Sequence, residues 1–226
     1  MRIDLHTHTF FSDGELLPSE LLRRAVVKGY SAIGITDHAD SSNLEEILAR
    51  LHNFAVHQTG DFEIELLIGV ELTHLPPGRI DGLAQDAKRL GADIVVVHGE
   101  TIAEPVAKGT NRAAVESPYV DLVGHPGFIT LEEARIAASN NVFLELTSRR
   151  GHSLTNGHVA QVAREAGAKL VVDTDAHHPD DLIDEARALD IALGAGLTVM
   201  EAEAAAVRNP KMLVDRILKR RNLLRA

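Results

Sequence analysis

The chain has 226 residues, 45% of them hydrophobic and 25% charged, which is enough to bury one core and too apolar to remain disordered. Its formal net charge of −10, with no Trp, 2 Tyr and 6 Phe, argues against a broad basic face on duplex nucleic acid and against a base-stacking platform. Cysteine is absent, so disulfides and thiolate metal sites are excluded, but 12 His remain to be explained.

Short β-branched runs alternate with longer amphipathic stretches. Strands are predicted at 2–5, 32–36, 64–70, 93–97, 120–124, 142–146 and 170–174. The strand-like Ile3-Asp4-Leu5 follows Met1 almost at once, so no signal peptide is expected; with no apolar run of roughly 18 residues, no membrane span is expected either. The expected location is the cytoplasm. Helices are predicted at 18–28, with Pro at the start and Gly29 after the end, and at 43–57, 81–90, 131–138, 155–166 and 180–193. Thr130 and Glu133 have the spacing of a capping box. Two more helices, roughly 199–207 and 210–221, follow without a clear strand. Several strands are apolar on successive residues, as in Ile94-Val95-Val96-Val97, which suits a parallel sheet buried on both faces. The reading is a single α/β domain over 1–226, with a closed barrel and an open doubly wound sheet both compatible. A Gly-x-Gly-x-x-Gly after the first strand is missing, which weakens a dinucleotide fold.

The chemistry lies just after the strands. They run into His6 and His8 with Asp13, then His38, Glu71, His98, His125, and Asp175 with His177. In a parallel α/β barrel the C-terminal strand ends open on one face. Imidazole nitrogens and carboxylate oxygens gathered there are ligands for zinc, manganese or iron(II). Nine such groups exceed one tetrahedral ion and suit two or three. The sixth strand brings no ligand but is followed by Thr147-Ser148-Arg149-Arg150, an Arg pair suited to gripping phosphate in a two-pronged fashion. The stretch Lys108–Arg112 is a second basic candidate, read as a solvated loop. Asp37 either orients an imidazole or caps a turn. His52, His57 and His158 read as helix-surface residues, His74 and His152 as candidate substrate contacts, and His178 as pointing away from His177.

The motifs Asp4-Leu-His6-Thr-His8-Thr, Ser12-Asp13-Gly14, Ile35-Thr36-Asp37-His38, Gly69-Val70-Glu71, Val97-His98, Gly124-His125-Pro126 and Asp175-Ala176-His177 resemble the PHP (polymerase and histidinol phosphatase) superfamily, over nearly the whole chain. The resemblance implies a distorted seven-stranded (β/α) barrel with three divalent ions, zinc, manganese or iron. It implies His6, His8, Glu71 and Asp175 on the first ion and Asp13, His38 and His177 on the second, with Glu71 bridging to a third that His98 and His125 also hold. Some histidinol phosphatases of the family carry His where this chain has Asp13, and the Ser-Asp-Gly form is common among its nucleases and nucleotide phosphatases. The expected activity is hydrolysis of a small phosphate monoester by a hydroxide bridging the ions. The alternatives are a nuclease or nucleotide phosphatase acting on nucleic-acid ends, and a non-catalytic module supporting a partner.

Overall fold

A computed structural model describes residues 1–58 and 62–225. The apolar runs form eight parallel strands: β1 (Arg2–Thr7), β2 (Tyr30–Ile35), β3 (His38–Ala39), β4 (Glu65–Leu72), β5 (Ile94–His98), β6 (Leu122–Gly124), β7 (Phe143–Thr147) and β8 (Leu170–Asp173). They pair in the order β1-β2-β4-β5-β6-β7-β8, and the two-residue β3 lies beside β4 with His38 opposite Glu71. The helices are α1 (Pro18–Val27), α2 (Leu44–Gln58), α3 (Pro77–Arg89), α4 (Thr110–Glu116), α5 (Leu131–Asn140), α6 (Asn156–Ala166), α7 (Glu185–Gly194), α8 (Val199–Glu203) and α9 (Asn209–Arg225). The architecture is a nearly closed seven-strand parallel barrel of the PHP type.

Closure between β8 and β1 relies on side chains. One backbone bridge joins Thr7 to Ala176, and the His8 amide donates to the Ala176 carbonyl at 2.9 Å. Below it the Leu5 amide donates to Asp173 Oδ1 at 2.8 Å, and the Thr174 amide and hydroxyl donate to Asp4 at 3.1 and 2.8 Å. Two buried carboxylates therefore take the place of a ladder at the seam.

The barrel interior is filled by Ile3, Leu5, Leu67, Val96, Phe143 and Val171, together with Leu213, Val214 and Ile217 of α9. Arg216, Arg220 and Arg221 of the same helix reach Asp121 and Asp93, just before β6 and β5, and Glu65 at the start of β4. Helix α9 thus stoppers the N-terminal end of the barrel and leaves the C-terminal strand ends open. The outer core packs the helices on the sheet through residues such as Leu21, Leu48, Ile80 and Val159.

Most elements match the sequence pattern, including the Thr130–Glu133 capping box at α5. Three do not. Helix α3 starts at Pro77, where a proline suits the first helical position, rather than at 81. The stretch read as a solvated loop at Lys108–Arg112 runs into α4, with Arg112 held by Glu116 and Glu132. Helix α7 starts only at Glu185, capped by the Asp184 side chain. Among the described residues, no helix is long and apolar enough to cross a membrane.

Candidate metal centre

Every strand of the barrel ends at one mouth, where β1, β4, β5 and the turns after β6 and β8 present ionisable groups. The register of β1 against β2 shifts between Asp4 and Thr7, an irregularity that re-aims side chains beside a site. His6 and His8 then both face inward, buried. The turns carrying His125 and Asp175 have positive φ (27° and 52°), a strained backbone for side chains of this kind.

Two groups of ligand atoms result. In the inner one, His6 Nε2 lies 3.2 Å from Glu71 Oε1 and 3.7 Å from Asp175 Oδ1. His8 Nε2 lies 3.7 and 3.2 Å from the same two carboxylates, and His125 Nε2 3.5 and 3.6 Å. In the outer one, Asp13 Oδ1 lies 3.4 Å from His38 Nε2 and 3.1 Å from His177 Nε2, which are 3.4 Å apart. Ligands ~2.1 Å from a tetrahedral ion stand about 3.4 Å from each other, so both groups have the spacing of a coordination shell. His6 Nε2, both ring nitrogens of His8 and of His125, Glu71 Oε1 and Asp175 Oδ1 are buried without any hydrogen-bond partner. Uncompensated burial of so many polar atoms is costly. A divalent cation would compensate it, and this donor set fits one.

The other ring nitrogens are already engaged. His6 Nδ1 donates to Glu145 Oε2 (2.8 Å), His38 Nδ1 bonds Thr73 Oγ1 (2.7 Å) with Glu71 Oε2 equally near (2.7 Å), and His177 Nδ1 lies 2.9 Å from the Asp175 carbonyl and 2.7 Å from an Arg149 terminal nitrogen. The bond from His6 to a carboxylate, an acceptor only, selects the tautomer that leaves the His6 Nε2 lone pair free for a metal. Glu71 therefore serves both groups, one oxygen facing His6 and His125 and the other orienting His38. Gly124 permits the crowding: a Cβ there would lie 2.9 Å from His6, 3.1 Å from Glu145 and 3.2 Å from Glu71.

Charge states follow. Burial disfavours charge on His6, but Glu71, Glu145 and Asp175 raise its pKa well above the ordinary value. Burial and the neighbouring His38 and His177 push His8 well below it. Burial opposes the charge on Glu71, yet His6, His98 and His38 hold it well below the usual carboxylate range. His38 and His125 are raised against burial, chiefly by Glu71. The carboxylates demand cationic charge, for which a proton on an imidazole is the weaker substitute.

The structure thus gathers eight of the nine expected ligands into these two groups. His98 packs beside His125, ring centroids 4.4 Å apart, and also groups with His74 and Glu104. Arg149 reaches the cluster, its Nε 3.4 Å from Asp175 Oδ2 and one terminal nitrogen 3.0 Å from the Asp175 carbonyl. Arg150 is exposed; both arginines line an adjoining cleft of about 750 Å³. Asp37 orients no imidazole: it accepts from the Thr9 amide, the Thr9 hydroxyl and the Ser12 hydroxyl, each at 2.7 Å, and so clamps the loop that carries Asp13. His52 and His158, expected at the surface, are half-buried and bonded to the carbonyls of Leu48 and Ile129. His152 is buried, its ring 4.3 Å from that of His125, and burial together with His125 lowers it to about 4. Sequence reasoning missed Glu145. The available signal was the alternation Phe143, Glu145, Thr147, which points all three into the barrel.

A family model described as PHP domain matches residues 4–119, just over half the chain. An uncharacterized protein of Methanocaldococcus jannaschii is 52% identical over 219 residues, covering 96% of this chain and all of that one. A probable phosphatase of Caldanaerobacter subterraneus subsp. tengcongensis is 33% identical over 77% of this chain and 76% of its own. Among solved structures, a chain of archaeal ribonuclease P with mature tRNA superposes with TM-score 0.69 at 16% identity, covering 99% of this chain and 92% of that one. Histidinol phosphate phosphatase from Lactococcus lactis, complexed with zinc, L-histidinol and phosphate, gives 0.60 at 19% identity, covering 87% and 94%. With the motif order, the barrel and the family match in agreement, this chain belongs to the PHP domain family.

Proposed function

We propose that the chain is a metal-dependent phosphoesterase that hydrolyses a small phosphate monoester, using up to three divalent ions. The observation that carries this is the set of buried, mutually facing nitrogen and oxygen atoms without hydrogen-bond partners. The probable-phosphatase relative and the fold shared with a zinc- and phosphate-bound phosphatase support the same reading.

In this reading His6, His8, Glu71 and Asp175 hold one ion, Asp13, His38 and His177 a second, and His98 and His125, with Glu71 bridging, a third. Bound ions would acidify a water at neutral pH and draw charge from the phosphoryl oxygens. Glu145 keeps His6 in the ligating tautomer. Asp37 holds the Asp13 loop over the mouth. Arg149, beside Asp175, is placed to fork onto a phosphate entering from the cleft, and Arg150 lies at the cleft's rim.

A second reading, a module that supports a nucleic-acid-processing assembly, draws on the likeness to the ribonuclease P chain. The cleft beside the ligand groups, with Arg149 at its edge, favours catalysis, because a purely structural ion needs neither an open approach nor a phosphate-gripping side chain. Metal analysis of the purified protein, followed by assays on p-nitrophenyl phosphate, histidinol phosphate, mononucleotides and a labelled oligonucleotide, tests the proposal. His38→Ala and Glu71→Ala should each lower monoester hydrolysis by more than about 100-fold. A protein that retains no ion, or variants with full activity, would overturn the proposal.

A further inference from the structure

Three side chains outside the nine expected ligands crowd His98 at the barrel mouth. His74 follows β4, Glu104 lies between β5 and α4, and His152 precedes α6. Glu104 Oε2 is 3.1 Å from His98 Nε2 and 3.2 Å from His74 Nε2, and Glu104 Oε1 is 3.4 Å from His152 Nε2. The ligand atoms of His74, His98 and Glu104 all lie within 4.8 Å of one another. Their short edges match those of the two groups described above.

Two further observations set this corner apart from an ordinary ion pair. Among the described residues, four other than glycine have positive φ: His74, His125, Asn141 and Asp175. Asn141 ends α5 in the left-handed conformation that helix C-termini favour. Of the other three, His125 and Asp175 belong to the metal centre, and His74 (φ 52°) shares their strained backbone. In addition, His98 is buried, and its Nε2 faces the Glu104 carboxylate.

The loop that carries Glu104 is anchored at its base. Glu100 Oε1 accepts from the amides of Gly109 and Asn111 at 2.9 and 3.0 Å. The Glu100 amide donates to Asn111 Oδ1 at 3.1 Å, and Asn111 Nδ2 donates to the Pro126 carbonyl at 2.7 Å. Thr101 Oγ1 contacts His152 Nδ1 at 2.8 Å. Glu104 is therefore presented from a fixed base, with its side chain 38% exposed and that of His74 41% exposed.

We propose that His74 and Glu104 join His98 in an ion site at the mouth that holds a divalent transition metal. Two imidazoles and one carboxylate with a solvent-facing position form a donor set for zinc, manganese or iron(II). The inner group is buried, whereas this site, like the group carrying the exposed Asp13, is open to solvent and exchanges its ion more readily than the inner one. The proposal rests on the metal-dependent reading above and adds to it His74 and Glu104, neither of which that reading uses as a ligand.

The test is a titration of the chelator-stripped full chain with Mn²⁺ and with Zn²⁺, read by bound metal per chain and by calorimetry, for the unaltered protein, Glu104→Gln and His74→Ala. Both substituted positions are partly exposed, and thermal melts of the stripped proteins verify folding. The unaltered chain should show a tight phase followed by a weaker one. Each variant should lose the weak phase, or shift it by at least about tenfold, with the tight phase unchanged. Identical titrations for all three proteins overturn the mouth site and leave the metal-dependent reading standing. An unaltered chain that binds no ion overturns both.

Discussion

Replacing Glu145 should separate the orientation of the metal centre from its ligation. Glu145 is fully buried, and its Oε2 alone accepts two hydrogen bonds, from His6 Nδ1 at 2.8 Å and from the His125 amide at 3.1 Å. Its Oε1 has no hydrogen-bond partner. In Glu145→Gln the amide oxygen can take over both bonds, and the NH2 group occupies the vacant Oε1 position, so geometry is kept and only the charge is lost. That charge helps to raise the basicity of His6. Loss of such an orienting carboxylate weakens metal affinity by about 10- to 100-fold, roughly 1.4–2.7 kcal/mol. Glu145→Ala additionally leaves two buried donors unpaired, at about 1–3 kcal/mol each in folding stability. A competitive chelator titration measures the first effect and urea unfolding of the stripped protein the second. The reasoning predicts weaker metal binding in both variants and a large stability loss only in Ala. Metal affinity unchanged in both would show that the His6–Glu145 bond does not prepare the ligand.

Gly124→Ala places a methyl against His6, Glu145 and Glu71; it should cost about 1–3 kcal/mol in stability and reduce bound metal, as checked by unfolding and metal analysis. Leu213→Ala opens a cavity in the barrel stopper, at the end opposite the metal centre; it should cost about 2–5 kcal/mol in a urea titration while bound metal per chain stays unchanged. The metal-free protein should also lose stability as pH rises. His6, His38 and His125 have raised values in the folded state, so their contribution is complete below the unfolded histidine value of 6.5 and disappears as pH climbs through the raised ones. Thermal melts of stripped and metal-loaded protein from pH 6 to 9 should diverge progressively, with stripped protein falling; parallel curves would contradict this.

Most residues of the candidate metal centre were legible because they sit at or just past a strand's end, where a parallel barrel opens, and a strand is easily recognised from runs such as Ile94–Val97. Glu145 was less so: it lies inside a strand, and its partner His6 is 139 residues away, on a strand whose place in the sheet no local pattern reveals. Helix α4 escaped notice for a related reason. The amides at its start, Gly109 and Asn111, are satisfied by Glu100 from across a loop rather than by an adjacent Ser, Thr or Asp cap. The apolar side of α9, Leu213, Val214 and Ile217, announces a helix that packs on something, but its target, the end of a barrel built from residues 3–171, is purely tertiary. The short strand β3 owes its existence to the pairing of His38 and Ala39 with β4, not to the propensity of two residues.

Barrel closure is what brings the residues of the candidate metal centre together. The inner group takes His6 and His8 from the first strand and Asp175 from just beyond the last; the outer group takes His177 from the same turn. These residues meet only across the β1–β8 seam, which the Asp4 and Asp173 side chains hold in place of a ladder. The seam is a costly place for those acids. Burial, Asp4 and Glu145 push Asp173 well above the ordinary value, and Arg2, itself buried with no hydrogen-bond partner for its guanidinium, stands 3.4 Å from Asp4. An ion that ties His6 and His8 to Asp175 binds the closed barrel and not one open at this seam, so by mass action it stabilises closure in proportion to the logarithm of its concentration over its dissociation constant. Hydrogen exchange at the Leu5 and Thr174 amides, which donate across the seam, should therefore slow on metal addition, while the amides of β4 and β5, paired on both sides by backbone ladders, change less. Equal slowing in all of these strands would mean that the ion stabilises the domain as a whole and that the seam is no weaker than the rest of the sheet.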